Sequence, residues 1–165
     1  MKLLLLRHAE AVPARVAGSD DHRWLTTSGR RCARAVGAAL RAEGLTLTHA
    51  YSSPLVRAIQ TSELIVAALG FTDAVVVHTP LATGPTAAVL EPLASHLDDD
   101  VIAFIGHEPI ASTVAGQLAG VRFPGYPTGT ACLFTGDPEA GLEFAWAIDP
   151  RTGARVDSPR ALSLY

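Results

Sequence analysis

Lys2-Leu3-Leu4-Leu5-Leu6-Arg7-His8-Ala9-Glu10 decides the fold of this chain. Four consecutive leucines are too few to span a membrane. They stop abruptly at an arginine and a histidine. A short unbroken apolar run bounded in this way predicts a strand buried on both faces. Strands of that kind belong to parallel sheets flanked by helices, where ligands bind beyond the carboxyl ends of the strands. Arg7 and His8 stand at that end. By themselves they also fit a solvated basic pair closing a strand, so the rest of the chain has to decide.

Outward from this strand, the residues of 11–24 include Pro13, Gly18, Ser19, Asp20 and Asp21 and predict a polar loop. A helix follows, with Thr26 or Thr27 as N-cap. Its apolar residues Ala33, Val36, Ala39 and Leu40 keep helical spacing, while Arg30, Arg31, Arg34 and Arg41 take the wet face. Gly44 closes it. Residues 48–52 predict a second, shorter strand. Ser53 and Pro54 then look like an N-cap with proline at the first helical position, for a helix running to Gly70.

Arg57 falls in the first turn of that helix. A cation there opposes the helix dipole, so helix stability does not explain it. A bound anion would, since helix starts and arginine forks both favour phosphate; an arginine pointing to water is the plainer account.

Residues 74–78 predict a third strand, residues 80–85 a loop, and residues 86–97 a helix that Pro92 should kink or split. Asp98-Asp99-Asp100 lacks the spaced ligands of a calcium loop and reads as a solvated turn. Residues 101–105 form a second fully apolar strand. Gly106-His107-Glu108-Pro109 follows, then a helix from Ile110 closing at Gly120. His107 thus takes the place on its strand that His8 takes on the first, and Gly106 allows close backbone approach. Residues 130–135 and 142–148 predict two strands joined by a Gly/Asp/Pro turn, a hairpin at the sheet edge. The tail after Pro150 reads as loop.

The totals agree. A chain of 165 residues suits one domain, 1–165, with a real core. With 6% aromatics in 48% hydrophobic residues, that core is aliphatic and alanine-rich. A net charge of -3 leaves no electrostatic footprint for nucleic acid. Cys32 and Cys132 make no paired motif and read as small core hydrophobes in a reducing, cytoplasmic setting. No signal peptide or membrane span is visible. His22, His49, His78 and His96 show no metal-ligand spacing and read as solvent-exposed. Gly106 to Ala111 lacks the second histidine of a zinc-protease motif. Trp24 and Trp146 read as packing residues, with Trp24 placed to line the mouth of a site.

Arg7, His8, Arg57 and His107 all leave carboxyl ends of strands or the helix starts just beyond. Arginine forks grip phosphoryl oxygens and disperse their charge. A neutral imidazole can attack phosphorus and split hydrolysis into two displacements. One histidine would be the nucleophile and the other a charged donor to the phosphoryl oxygens.

L-L-R-H-A-E at residues 5–10, S-D-D-H-R-W-L-T-T-S-G at 19–29, S-S-P-L-V-R-A-I-Q-T at 52–61 and G-H-E-P at 106–109 resemble the histidine phosphatase superfamily, also called phosphoglycerate-mutase-like, and most of all its small phosphohistidine phosphatase branch. The matching motifs extend from Lys2 to about Ala119. The resemblance implies a three-layer α/β/α sandwich on a mostly parallel, doubly wound sheet. It implies His8 as phospho-accepting nucleophile, Arg7 and Arg57 as ligands of the phosphoryl oxygens, and His107 completing the pocket. No metal or organic cofactor is implied.

Two departures stand out. Ala9 replaces the glycine usual after the histidine, and its methyl threatens to crowd the pocket floor. The segment Leu81-Ala82-Thr83-Gly84 lacks the carboxylic acid that larger members carry. Glu108, directly after His107, is a candidate general acid, where another branch places an aspartate; a carboxylate stabilised by the helix dipole is its bland reading. Glu10 and Asp20 are weaker candidates. The expected activity is hydrolysis of phosphohistidine on a protein partner, or of a small phosphomonoester. A mutase and a non-catalytic phosphate-binding module are the alternatives. The missing acid and short chain argue against the mutase, and an intact nucleophile argues against the module.

Overall fold

The computed structural model describes residues 1–137 and 140–163. β1 (Lys2–Arg7) sits inside a seven-stranded sheet. β2 (His49–Ser52), β3 (Val76–Val77) and β4 (Val101–Gly106) complete its parallel half, and the sheet order is β3-β2-β4-β1-β5-β6-β7. β5 (Ala131–Asp137) runs antiparallel to β1, β6 (Gly141–Ile148) pairs antiparallel to β5, and β7 (Arg155–Val156) closes that side.

The leucine run is buried on both faces because alternate side chains enter different cores. Leu3 and Leu5 pack with Phe104, Leu81 and Val114, while Leu4 and Leu6 pack with Ile105, Val36, Leu40 and Ile65. Helices α2 (Thr27–Ala42) and α3 (Val56–Leu69) supply the second layer. Helices α4 (Pro80–Thr83), α5 (Thr86–Leu90) and α6 (Ile110–Ala119) supply the first. The result is the expected three-layer α/β/α arrangement. Each buried leucine contributes roughly 1.5–3 kcal/mol, so apolar burial anchors β1 and leaves its polar end free for other work.

Several local readings hold. Thr26 is the N-cap of α2, accepting from the Gly29 N–H at 2.9 Å. Gly44 follows α2 at φ +74°, a left-handed closure that glycine adopts at no steric cost. Trp146 and Cys132 are buried, and Pro92 ends α5, giving way to a 3₁₀ turn over Glu91–Ser95.

Others are corrected. The polar loop carries a one-turn helix, α1 (Ala14–Ala17). Ser53 is not the N-cap of α3; that position is Leu55, where the chain is still extended, and the Ser53 hydroxyl accepts from the Leu55 N–H at 3.2 Å while also meeting His107. The third strand shortens to Val76–Val77, an exposed edge pair with only β2 beside it. Residues 80–83 are helical, not loop. The hairpin β5–β6 extends the β1 side of the sheet as expected, with the two-residue β7 added outside β6 as the last strand. The tail therefore holds β7 and a 3₁₀ turn over Pro159–Ser163. Pro138 of the hairpin turn lies outside the described residues. Among the described residues no helix is long and apolar enough to cross a membrane.

Candidate active site

β1 and β4 are parallel neighbours with Arg7 opposite Gly106, so the residues that follow must emerge side by side. The His8 N–H donates to the Gly106 carbonyl at 3.0 Å, and the two imidazole rings stand 4.9 Å apart at 55°. Gly106 is tight as expected: a Cβ there would lie 3.0 Å from the Leu81 carbonyl oxygen. β2 ends on the other side of β4 and delivers Ser53, whose hydroxyl meets His107 Nε2 at 2.7 Å.

Arg57 reaches the same place from α3. Its Nε donates to His8 Nε2 at 3.2 Å. The four residues singled out from sequence therefore converge, and three of them, His8, Arg57 and His107, are almost fully buried.

The hydrogen bonds assign the proton on His8. Nδ1 lies 2.7 Å from the Ala9 carbonyl, which can only accept, so Nδ1 carries the hydrogen. Nε2 then holds the lone pair, consistent with Arg57 donating to it. Burial, opposed by the Ala9 carbonyl and assisted by Arg57, Arg7 and Arg23, pushes the His8 pKa down to about 4. Burial, followed by the nearby His8 and Arg57, pushes His107 down to about 3. Both rings are thus neutral at pH 7. For His107, the charged donor expected from sequence requires an anion to raise its pKa.

The arginines differ in how they are held. Arg7 Nη1 donates to the Tyr126 carbonyl, while Arg7 Nε is buried with no partner among the described residues. His107 Nδ1 is likewise buried with no partner among them. An unpaired buried polar group costs about 1–3 kcal/mol, which an oxyanion accepting from both would offset. Arg57 is gripped by the loop over residues 11–24: Nη1 donates to the Asp20 carbonyl at 2.7 Å and Nη2 to its carboxylate at 2.9 Å. Arg23 holds the other carboxylate oxygen at 3.0 Å.

Ala9 does not crowd the site. Its methyl enters a small cluster with Leu25 and Ala33, and its N–H donates to Thr61 Oγ1 at 3.1 Å. Gly29 explains the T-T-S-G motif, since a Cβ there would meet the Glu10 carbonyl oxygen at 2.0 Å. Glu10 itself accepts from the Thr26 hydroxyl at 3.0 Å and belongs to the start of α2. Glu108 accepts at both oxygens, from the Tyr126 N–H at 2.7 Å and the Ser112 hydroxyl at 2.6 Å. Arg7, Glu108 and Tyr126 line a cleft of about 480 Å³.

Sequence reasoning missed Ser53 as a histidine partner, Tyr126 as the anchor of Arg7, and Asp20 as the cover of Arg57. The proline after Ser53 suggested a cap instead, Tyr126 carried no local signal, and Asp20 was singled out only as a weak candidate acid. Reading the four remaining histidines as solvent-exposed also fails in part. His78 packs between Tyr51 and Phe104, and the His96 side chain is only 8% exposed.

Residues 3–81 match the family model of the histidine phosphatase superfamily, branch 1. That match, over slightly less than half of the chain, takes in Arg7, His8 and Arg57. No curated protein matches it in sequence. Among solved structures, the protein histidine phosphatase SixA complexed with tungstate is similar at 24% identity and TM-score 0.84, covering 92% of this chain and 98% of that one. A protein assigned as phosphohistidine phosphatase SixA from Nakamurella multipartitia is similar at 26% identity and TM-score 0.73, covering 90% and 95%. A phosphoserine phosphatase from Entamoeba histolytica is similar at 16% identity and TM-score 0.69, covering 91% and 98%. The family model and the 26%-identical neighbour together support a phosphatase.

Proposed function

We propose that the protein hydrolyses phosphohistidine on a partner protein through a phosphorylated His8. The observation that carries this reading is the His8 tautomer, with Nδ1–H on the Ala9 carbonyl and the Nε2 lone pair facing the Arg57 guanidinium. In the first displacement, Nε2 forms the bond to phosphorus and the bond to the leaving nitrogen breaks. Its electron pair stays on the departing imidazole. Arg7 and Arg57 neutralise the equatorial oxygens, and His107 donates to one of them once the anion raises its pKa. In the second displacement, water attacks phosphorus, the bond to Nε2 breaks, and inorganic phosphate leaves.

The preference for phosphohistidine rests on Glu108. Both of its oxygens are held by protein donors, the Tyr126 N–H and the Ser112 hydroxyl, so the carboxylate already serves as an acceptor that ties these two segments together. A leaving imidazole needs less help from a protein acid than an alkoxide does. The structural likeness to SixA proteins supports the same substrate class. Single-turnover labelling with ³²P tests the intermediate. The label should be lost in acid and retained in alkali, and be absent from His8→Asn. Label that survives acid and is lost in alkali would overturn the mechanism. Parallel assays on phosphohistidine proteins, phosphoserine and phosphoglycerates test the substrate.

A further inference from the structure

A second cluster of reactive side chains stands at the opposite end of the sheet. His49 is the first residue of β2, Asp100 immediately precedes β4, and the two strands are parallel neighbours with His49 opposite Ile102. His96 follows the 3₁₀ turn over Glu91–Ser95 and folds back onto them. β4 separates this cluster from His107 by its full length, about 20 Å at roughly 3.3 Å per residue.

The side chains converge. The His49 and His96 rings stand 4.0 Å apart. His49 Nδ1 lies 3.8 Å from Asp100 Oδ1, and His96 Nδ1 lies 3.4 Å from Asp100 Oδ2. One ligand atom from each of the three residues falls within 4.8 Å of the other two. Surrounding groups hold the set. The Tyr51 hydroxyl bonds His96 Nε2 at 2.8 Å, which turns Nδ1 towards the carboxylate. The Leu97 N–H donates to Asp100 Oδ2 at 2.8 Å, and Thr48 Oγ1 meets His49 Nδ1 at 3.0 Å.

We propose that His49, His96 and Asp100 form a three-ligand site for a divalent transition-metal ion, zinc foremost, at the amino end of the sheet. Two imidazoles and one carboxylate suit zinc, with water in the fourth position, and disfavour calcium or magnesium, which prefer all-oxygen sets. Tyr51 is the outer partner that orients a ligating histidine through its other nitrogen. The His49 side chain is 43% exposed, so turning it to close the remaining gap around an ion gives up only its hydrogen bond with Thr48. Exposed Asp98 and Asp99 add negative charge beside the mouth. The site serves structure: it clamps the connection after the 3₁₀ turn, which carries the exposed Leu97, onto β2. Asp98 and Asp99 form the exposed turn expected from sequence, while Asp100 is half-buried beside the two histidines.

The test uses the full chain, stripped of metal and carrying His8→Asn to silence the catalytic histidine as a competing ligand. Calorimetric titration with Zn²⁺ and visible spectroscopy with Co²⁺ should show one site per chain with tetrahedral cobalt bands, and Zn²⁺ should raise Tm. His49→Gln, at the most exposed ligand, should weaken binding by at least about tenfold, and Tyr51→Phe by about tenfold. Circular dichroism checks that each variant folds. Absence of a one-to-one site, or equal affinity in His49→Gln, overturns the proposal and leaves a hydrogen-bonded Tyr51–His96–Asp100 triad. In the protein with His8 intact, chelator should lower Tm without changing phosphatase turnover. If it abolishes turnover, the site is not the remote clamp argued above.

Discussion

The Asp20 carboxylate lies on Arg57, 2.9 Å from Nη2, where an incoming phosphoryl oxygen would be gripped. The Asp20 carbonyl takes Nη1 as well, so the loop over residues 11–24 fills both terminal nitrogens of the guanidinium. Substrate has to displace a side chain that is 58% exposed and also bound by Arg23. An exposed ion pair is worth at most about 1 kcal/mol. Asp20→Ala should therefore tighten inhibition by vanadate, by up to about fivefold. Weaker inhibition in the variant would instead assign Asp20 the role of positioning Arg57 for substrate.

Arg57→Lys keeps the charge and loses the fork. It also loses the Nε–H that faces His8 Nε2. We expect kcat to fall by roughly a hundredfold, the usual cost of one misplaced transition-state donor, with a smaller change in KM. Steady-state kinetics on one phosphohistidine protein decides it. A pure KM effect would mean that Arg57 only binds substrate.

Glu108→Gln separates the two substrate classes. A glutamine places its NH₂ against either the Tyr126 N–H or the Ser112 hydroxyl. Facing the N–H would cost about 1–3 kcal/mol of stability. Turnover of phosphohistidine should fall less than threefold, the size of effect expected when no essential proton passes through the residue. If the variant selectively loses alkyl phosphoester activity, and those esters are the better substrates of the wild type, Glu108 is the acid and the small-ester reading prevails.

The buried histidines make acid stability predictable. An unfolded imidazole titrates near 6.5, whereas His8 is held down to about 4 and His107 to about 3. Between those limits the unfolded chain binds more protons, so stability rises with pH and is lost as pH falls from about 6.5 towards 4. The loss should reach a few kcal/mol, since each pKa unit is about 1.4 kcal/mol. Urea midpoints from pH 4 to 7 measure it, and His8→Asn should flatten the curve. The acid limb of kcat/KM should fall near pH 4 rather than near 6.5. A limb at the ordinary imidazole value would show that His8 is not desolvated in solution.

What the sequence determined by itself was local or periodic. Four leucines in a row require two apolar faces, and that alone implies helices on both sides of β1. Arg7 and His8 then fall at its carboxyl end, and Gly106-His107 repeats the arrangement on β4. Arg57 was legible because a cation in the first turn of a helix has no local reason to be there. The tertiary structure decided the pairings. Ser53 with His107 spans 54 positions, Asp20 with Arg57 spans 37, and Tyr51 with His96 spans 45. Sequence periodicity orders neighbours within one helix or strand; it does not say which loop side chain crosses to which strand end. That depends on sheet order, which sets β4 between β1 and β2, and on burial, which leaves each polar group to find a partner among whatever the packing brings within reach. The same cause hid the cluster of His49, His96 and Asp100, whose members share no motif and meet only because β2 and β4 start side by side.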